Sequence, residues 1–335
     1  MKTNAASAVN AIIPHLTPAK ESGTGVAPAN IALCKYWGKR NEELKLPLTG
    51  SLSISLGPLG STTTIAFSDQ DQFVLGDSEQ ELDSKAATRL FGFLDNFRPP
   101  GTYFQVTSTN TIPMAAGLAS SASAFAATVK ALNELFEWNL DTKGLSILAR
   151  LGSGSASRSI EHGFVEWFAG SQEDGSDSYA EKIDLEWPEF HIGILTLSSE
   201  KKSIGSSQGM KRTMETSALY NSWPQEVNRA LPLIRTAITE KNFPMLGRVA
   251  EQNALSMHAT MISSWPPILY WKPETITALH QVQLLRAEGI EVYATMDAGP
   301  NVKLIFLEEQ EALISEAFPD LQIVAPFQPI PKSST

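Results

Sequence analysis

A run of small residues, 113–122, leads directly into a segment with helical periodicity. The free N–H groups and the dipole at a helix start attract anions, and small side chains let a phosphate approach the main chain. Ser120 and Ser121 can donate to phosphate oxygens or ligate a metal ion. The same residues equally suit an ordinary N-cap and close helix packing. Because no Lys-Ser/Thr pair follows Gly117, the segment is not a Walker A loop.

Two further segments place cations beside small or aromatic residues. Residues 35–40, Lys-Tyr-Trp-Gly-Lys-Arg, suit the wall of an anion pocket, although a charge run of this kind is usually a solvated turn. Residues 152–158 form a loop of Gly, Ser and Ala that ends in Arg158, whose guanidinium can grip a carboxylate or phosphate with two parallel hydrogen bonds. The alternative is a flexible connection with a surface arginine. The loop lacks the third glycine of a dinucleotide fingerprint, which excludes a Rossmann site.

Two other patterns have simpler explanations. Residues 297–301, Asp-Ala-Gly-Pro-Asn, have the composition of a tight turn, so Asp297 taken alone is better explained as a turn residue than as a catalytic base. Residues 205–209 match the Gly-x-Ser-x-Gly pattern of serine hydrolases, but charged residues precede them and no histidine follows Asp297. A hydrolase is therefore not expected. The five histidines show no metal-binding spacing.

Composition limits the class of protein. The chain has 335 residues, a net charge of −10 and 42% hydrophobic residues, which indicates a globular protein with a substantial core. The single cysteine, Cys34, excludes internal disulfides and cysteine-cluster zinc sites. The acidic balance argues against non-specific nucleic-acid binding, although a local basic cluster can still bind a small polyanion. With no long apolar run and Pro14 after residues 11–13, we expect a cytoplasmic protein without a signal peptide or membrane association.

Strands and helices must position these segments. The predicted strands and helices do not alternate strictly along the sequence, which predicts an α+β fold. Alternating and β-branched residues predict strands at 26–33, 52–56, 62–67, 103–107 and 191–198. Apolar spacings of three and four predict helices at 84–94, 122–136, 145–151, 218–237, 243–258 and 274–288. A hairpin is predicted at 291–307, around the turn that holds Asp297. We expect a mobile extension at 1–22, an N-terminal domain at 23–190 and a C-terminal domain at 191–335.

In their order, these motifs resemble the GHMP kinase superfamily and, within it, the diphosphomevalonate decarboxylase family. Pro-x-x-x-Gly-Leu-x-Ser-Ser-Ala is similar to the superfamily's phosphate loop, and segments beginning at residues 30, 35, 152, 206 and 296 follow the family's order. The segments Lys-Tyr-Trp-Gly-Lys and Asp-Ala-Gly-Pro-Asn separate the decarboxylases from other members. The resemblance spans roughly residues 24–325. Ser157 stands where the family usually has Cys, and Thr49-Gly50-Ser51 replaces an Asn-Ser-Ser pattern.

This resemblance implies the GHMP kinase fold, in which a ribosomal-S5-like N-terminal half and a ferredoxin-like C-terminal half pack around a deep cleft. The implied reaction is ATP-dependent decarboxylation of mevalonate 5-diphosphate through phosphorylation of its 3-hydroxyl, with ATP and Mg²⁺ as cofactors and a homodimer as the assembly. Three alternatives stay open at this point. They are a kinase that phosphorylates a related alcohol without decarboxylation, a decarboxylase of 5-phosphomevalonate, and a non-catalytic nucleotide-binding paralogue.

Individual roles also follow from the resemblance. Asp297 is expected to accept the hydroxyl proton, and a nearby Lys35 to keep its carboxylate ionised. Arg158 is expected to hold the substrate carboxylate with Tyr36 as a second donor. The 5-diphosphate is assigned to Lys39, Ser155 and Ser206. The ATP phosphates are assigned to Gly117, Leu118, Ala119, Ser120, Ser121 and Ala122, with Ser120 or Ser121 meeting Mg²⁺ and with adenine near residues 73–82.

Overall fold

The computed structural model describes residues 5–112, 120–200 and 202–327. Its strands are β1 (Ser22–Cys34), β2 (Lys39–Asn41), β3 (Leu46–Pro47), β4 (Ser51–Ser68), β5 (Gln72–Leu75), β6 (Ser78–Glu79), β7 (Tyr103–Asn110), β8 (Phe164–Trp167), β9 (Ala180–Lys182), β10 (Phe190–Leu195), β11 (Val292–Met296), β12 (Val302–Leu307) and β13 (Gln322–Val324). Its α-helices are α1 (Ala5–Asn10), α2 (Lys85–Leu94), α3 (Ser120–Leu135), α4 (Thr142–Gly152), α5 (Ser206–Thr216), α6 (Trp223–Thr239), α7 (Phe243–Ile262), α8 (Pro273–Ala287) and α9 (Glu311–Ala317). Short 3₁₀ helices cover Gly154–Ser159, Tyr220–Ser222 and Glu308–Gln310.

A seven-stranded sheet organises the first half of the chain. Its order is β6-β5-β7-β4-β8-β9, and β1 pairs antiparallel with β4. The two strands predicted at 52–56 and 62–67 are one strand, β4, of 18 residues. The pairing with β1 jumps from Pro28 opposite Gly60 to Asn30 opposite Ser55. Gly57, with a positive φ of 55°, accommodates this bulge, so the turn-like residues bend the strand without ending it.

Helix α3 packs across this sheet at very short range. Val129, Leu132 and Leu135 are fully buried, as their spacing predicted. A Cβ on Gly25 of β1 would lie 2.1 Å from the carbonyl oxygen of Ala127, so only a glycine allows this approach. The strand and the helix therefore fix each other, which positions the start of α3.

Residues 5–22 are packed against the first half, which differs from the predicted mobile extension. Val9 of α1 and the following Ile13 lie in the core. The indole Nε1 of Trp138 donates to the carbonyl of His15 at 2.7 Å, and the backbone N–H of Lys20 donates to the carbonyl of Leu135 at 3.1 Å. The sequence pattern missed this because the apolar residues of the segment are few and scattered among Ser, Pro and other polar residues, while backbone hydrogen bonds add to its attachment.

The second half contains a four-stranded sheet in the order β11-β12-β10-β13. The predicted hairpin is present, with β11 paired antiparallel to β12. The sheets change between β9 and β10, and the domain boundary near residue 190 stays a prediction. One core runs through both halves, since Ile31 and Ile54 belong to the same cluster as Ile194 and Ala294. The mixture of sheets and helices confirms the α+β class. In the described part of the chain, no helix is long and apolar enough to cross a membrane.

Candidate active site

The end of β1 and the turn between β11 and β12 meet where the two halves join. Lys35 Nζ donates to Asp297 Oδ1 at 2.9 Å. The backbone N–H of Lys35 donates to Asn253 Oδ1 of α7 at 2.7 Å, which anchors the end of β1. The Lys35 side chain is 2% exposed and that of Asp297 is 28% exposed. The ammonium is therefore buried behind a carboxylate that a substrate can reach.

The turn that carries Asp297 is held by its neighbours. Its carbonyl accepts the N–H of Gly299 at 2.7 Å and a hydrogen bond from His258 Nε2 at 3.0 Å. Thr275 Oγ1 donates to the carbonyl of Pro300 at 2.8 Å. Asn301 Oδ1 accepts backbone N–H groups from the segment after β10. These contacts show that the segment is both a well-formed turn and the support of an accessible acid.

Positive charge around Asp297 determines its ionisation. Burial alone would raise the pKa of Asp297, but Lys35, Lys303 and Lys202 outweigh it and lower the pKa to about 2. Burial lowers the pKa of Lys35, while the Asp297 carboxylate opposes that change. Burial also lowers the pKa of His258 to about 3. At neutral pH the site therefore has a charged carboxylate beside a neutral imidazole.

Arg158 lies in the 3₁₀ helix Gly154–Ser159 and is 3% exposed. Its guanidinium donates to Ser51 Oγ and, at 3.4 Å, to Asn30 Oδ1. Burial lowers its pKa to about 10, so it stays charged at neutral pH. Among the residues that the structure describes, the buried Nε has no hydrogen-bond partner. A buried cation with a spare donor suits a carboxylate ligand.

Tyr36 packs against the same loop. Its ring meets Trp167 edge-on, with ring centroids 4.8 Å apart. A Cβ on Gly154 would lie 2.7 Å from the Tyr36 hydroxyl, so the loop needs glycine there. The hydroxyl is buried, and within the described ranges it has no hydrogen-bond partner. Burial raises the pKa of Tyr36, so it remains a neutral donor beside the loop that holds Arg158.

The three residues predicted to hold the diphosphate have different surroundings. Lys39 Nζ lies 2.6 Å from Glu42 Oε2. Ser155 Oγ lies 3.5 Å from Ser153 Oγ, which is itself 3.5 Å from Ser121 Oγ at the start of α3. These serines connect the 152–158 loop with the predicted phosphate site.

Ser206 is the first residue of α5, and it connects to the turn of Asp297 through Lys202. Lys202 Nζ donates to Ser206 Oγ at 3.2 Å and to the carbonyl of Ala298 at 2.7 Å. The structure therefore gives Ser206 a cationic neighbour close to the predicted base.

A cavity of about 220 Å³ opens beside the start of α3. Phe73, Leu90 and Phe125 line it, together with Ser121. Arg89 also lines the cavity, and its guanidinium carbon lies 4.8 Å from the centre of the Phe125 ring. An apolar cavity that ends at hydroxyl groups and a helix start suits a flat base with attached phosphates.

Several predicted nucleotide contacts fall outside this description. Gly117, Leu118 and Ala119 lie outside the described residues, and only the backbone of Ser120 is described, as the first residue of α3. Ala122 is buried in α3. Of the segment predicted to meet adenine, Phe73 and Leu75 line the cavity.

A magnesium ion would find few protein ligands here. In the described part of the chain, no group of three or more His, Cys, Asp or Glu side chains could hold a metal. Ser121 supplies one hydroxyl beside the cavity. This fits Mg²⁺, which usually takes its ligands from substrate phosphates and water with only one or two from protein.

Several residues of the site were not predicted from the sequence. Ser51 and Asn30 bind Arg158, Trp167 packs on Tyr36, and Lys303 and His258 surround Asp297. One signal could have identified Lys303, which is the single charge in the apolar strand Val302–Leu307.

Comparison with known proteins decides the family. The family model of the diphosphomevalonate decarboxylase-like N-terminal domain matches residues 27–180. That of the mevalonate 5-diphosphate decarboxylase C-terminal domain matches residues 192–326. The chain belongs to the diphosphomevalonate decarboxylase family. The family's enzyme from Aspergillus fumigatus is 38% identical over 316 residues, which cover 87% of this chain and 78% of that protein.

Solved structures of the diphosphomevalonate decarboxylase family share the fold. The crystal structure of the Staphylococcus aureus enzyme is 36% identical, with a TM-score of 0.86, over 91% of this chain and 95% of that chain. The structure of MDDEF in complex with MVAPP, AMPPCP and magnesium is 40% identical, with a TM-score of 0.84, over 91% and 97% of the two chains. The predicted family, the GHMP kinase fold and the enzyme class, an ATP-dependent carboxy-lyase, are confirmed.

Proposed function

We propose that the site around Lys35, Asp297 and Arg158 performs the ATP-dependent decarboxylation of mevalonate 5-diphosphate to isopentenyl diphosphate, phosphate, CO₂ and ADP. The observation that carries this proposal is the 2.9 Å contact between Lys35 and Asp297. It joins motifs from opposite ends of the chain at one accessible carboxylate. ATP with Mg²⁺ supplies the phosphoryl group that turns a tertiary hydroxyl into a good leaving group.

Asp297 is the base that takes the proton from the 3-hydroxyl. Its carboxylate is ionised at neutral pH and partly exposed, which a proton acceptor requires. Lys35 holds one carboxylate oxygen and places a positive charge where the anionic phosphoryl group arrives. The pair therefore combines proton acceptance with stabilisation of the developing charge.

Arg158 and Tyr36 hold the C1 carboxylate. Both have buried donor atoms beside the 152–158 loop, and Trp167 covers them with an apolar ring. In the second step the C1–C2 bond breaks and its electrons form the C2–C3 double bond, while the C3–O bond breaks and phosphate leaves. A fixed carboxylate keeps the breaking bonds aligned, because the leaving groups are on adjacent carbons.

Lys39, Ser155 and Ser206 hold the 5-diphosphate, which lies away from the reacting carbon atoms. The carboxylate that now pairs with Lys39 belongs to Glu42, whose side chain is 59% exposed. A diphosphate carries more charge and displaces this contact. Its binding fixes the hydroxyl and carboxylate relative to Asp297 and Arg158, and such orientation can lower the barrier by several kcal/mol.

An assay that offers mevalonate 5-diphosphate and 5-phosphomevalonate separately tests this proposal. With the diphosphate, we expect CO₂ and ADP in equal amounts; with the monophosphate, we expect neither above background. ADP without CO₂ would show a kinase, and CO₂ from the monophosphate alone would show the other decarboxylase. Nucleotide binding without either product would show a non-catalytic paralogue.

Assembly and location remain predictions: the family resemblance implies a homodimer, and the composition of the sequence favours the cytoplasm. Light scattering of the purified protein measures the mass in solution, and a mass near 73 kDa, twice the 36.4 kDa of the chain, is expected.

A further inference from the structure

Lys303 is a buried lysine to which no role was assigned from the sequence. It is 1% exposed and lies in β12, which is paired on both sides, with β11 and with β10. Its register partners are Thr295 of β11 and Ile194 of β10. A lysine in the interior of a sheet costs free energy that an apolar residue would not, so its presence calls for a reason.

The register shows which way this part of the sheet faces. Directly opposite residues of antiparallel strands have side chains on the same face. Thr295 Oγ1 lies 3.5 Å from the carbonyl of Ala32 in β1, so this face looks toward β1 and the Lys35 that follows it. Lys303 therefore lies on the side of the sheet where Lys35 and Asp297 meet.

The charges that act on Lys303 come from segments outside its own strand, since its partners in β10 and β11 are the uncharged Ile194 and Thr295. They are Asp297 in the turn, Lys35 after β1 and Lys202 before α5, and Lys303 also acts on His258 of α7. Burial, reinforced by Lys35 and Lys202 and opposed by Asp297, lowers the pKa of Lys303 to about 8. Since His258 is neutral, three lysines surround the Asp297 carboxylate and the region is net positive. A buried excess of one charge sign is typical of a site that receives the opposite charge.

We propose that Lys303 is a positioning residue for phosphoryl transfer, whose ammonium acts through the Lys35–Asp297 pair to make the region net positive for the incoming phosphoryl group. This inference rests on the proposed function. It adds the requirement of a further buried ammonium, which the motif residues alone do not predict. The reaction needs Lys303 protonated, so its loss of a proton limits activity at alkaline pH.

The test is the pH dependence of kcat/KM for mevalonate 5-diphosphate between pH 6 and 10, in wild type, Lys303→Met and Lys303→Arg. Wild type should lose activity above about pH 8. Lys303→Arg should move this loss upward by at least about one pH unit, because a guanidinium stays charged. Lys303→Met should lower kcat/KM at pH 7 by about 10- to 100-fold and lack this alkaline loss.

A thermal melt of Lys303→Met separates this role from simple packing. Methionine removes a buried charge at similar volume, so Tm should stay the same or rise while activity falls. A structural lysine would instead lose stability and activity together. This measurement also decides the matter if the arginine variant does not fold.

Two comparisons make the result specific. Thr295→Val alters the opposite residue on the same face without changing charge and should leave the alkaline loss in place. Burial also lowers the pKa of Lys45 to about 8, so deprotonation of Lys45 would produce a similar loss of activity at alkaline pH. An alkaline loss that stays at the same pH in Lys303→Arg would therefore overturn the proposal. Full activity of Lys303→Met at pH 7 would overturn it too. The proposed function itself fails on a different result, namely a wild type that releases no CO₂.

Discussion

Two buried arginines differ in their hydrogen-bond partners, and only Arg158 belongs to the proposed site. Arg150 of α4 is fully buried and Arg158 is 3% exposed, and burial lowers the pKa of each to about 10. Arg150 donates to main-chain carbonyls, those of Leu44, Gly175 and Ser178. It therefore ties the turn after β2 to the loop before β9.

Arg158 has side-chain partners instead. It donates to Ser51 and Asn30, and the charge that most raises its pKa is that of Asp297. A hydroxyl and an amide can adjust to a ligand more readily than a fixed main-chain carbonyl. Burial and charge are therefore similar for the two arginines, and the type of hydrogen-bond partner is what distinguishes them.

The largest expected difference in kcat is between variants of the two acids near these arginines, Asp297 near Arg158 and Asp177 near Arg150. Asp297→Ala should lower kcat by at least ~10³-fold, because both the base and the partner of Lys35 are lost. Binding of a non-hydrolysable ATP analogue, measured by calorimetry, should not change. Near wild-type turnover would remove Asp297 from the mechanism.

Asp177→Ala, near Arg150, is the matched control. Asp177 accepts backbone N–H groups of Ser171 and Gln172 in an exposed loop and is an acidic neighbour of Arg150. Its removal should cost about 1 kcal/mol of stability and leave kcat unchanged.

The arginines themselves test the comparison directly. Arg158→Gln should lower kcat/KM by about 10²- to 10³-fold with little loss of Tm, because the carboxylate of the substrate loses its cation. Arg150→Gln should instead lower the free energy of unfolding by about 3 kcal/mol or more, since buried carbonyls lose their donors. Denaturant unfolding and steady-state kinetics on both variants measure this. Equal effects of the two changes on stability would contradict the distinction.

Lys39→Ala tests the proposed diphosphate site and should have a smaller effect. We expect KM for mevalonate 5-diphosphate to rise about 10- to 100-fold with a lesser change in kcat, because a phosphate contact is lost far from the reacting atoms. Lys143→Ala is the control. The Lys143 ammonium lies 4.5 Å from the centre of the Tyr179 ring, next to the segment 175–178 that Arg150 binds. A larger fall in kcat than rise in KM for Lys39→Ala would place Lys39 at the chemical step.

His258→Gln concerns stability, and its effect should appear only as the pH falls below neutral. The pKa of His258 falls from its usual 6.5 to about 3 on folding, so the unfolded chain binds the proton more readily. Wild type should therefore lose up to about 1.4 kcal/mol of stability per pH unit at this residue as pH falls from 6.5 toward 3. The variant should lack this contribution. Denaturant midpoints at pH 4.5 and 7 measure it, and an equal pH dependence in both proteins would contradict the assignment.

Local pattern and motif order predicted much of the molecule. The spacing of apolar residues located α3 and α7, and the turn residues located the hairpin that holds Asp297. The ordered motifs predicted that Lys35 and Asp297 belong to one site, although 262 positions separate them. The periodicity of apolar residues does not predict such a pairing, because it shows only which face of a helix or strand is buried.

What the sequence did not show depends on contacts between elements. Ser51 looks like any alternating serine of a strand until β4 lies beside the 3₁₀ helix of Arg158. The apolar residues of 5–22 are interrupted by Pro14 and Pro18, so no periodicity predicts the packing that the structure shows. The turn-like residues after Leu56 suggested a break in β4, and only the pairing with β1 shows that the strand continues.

The distance along the chain between Lys35 and Asp297 has a consequence for truncated forms of the protein. The cavity beside α3 is lined by residues between Ser61 and Thr128, whereas the proposed base, Asp297, lies near the other end of the sequence. A truncation before residue 297 would therefore keep every described residue that lines the cavity and would remove the proposed base, and with it the proposed reaction.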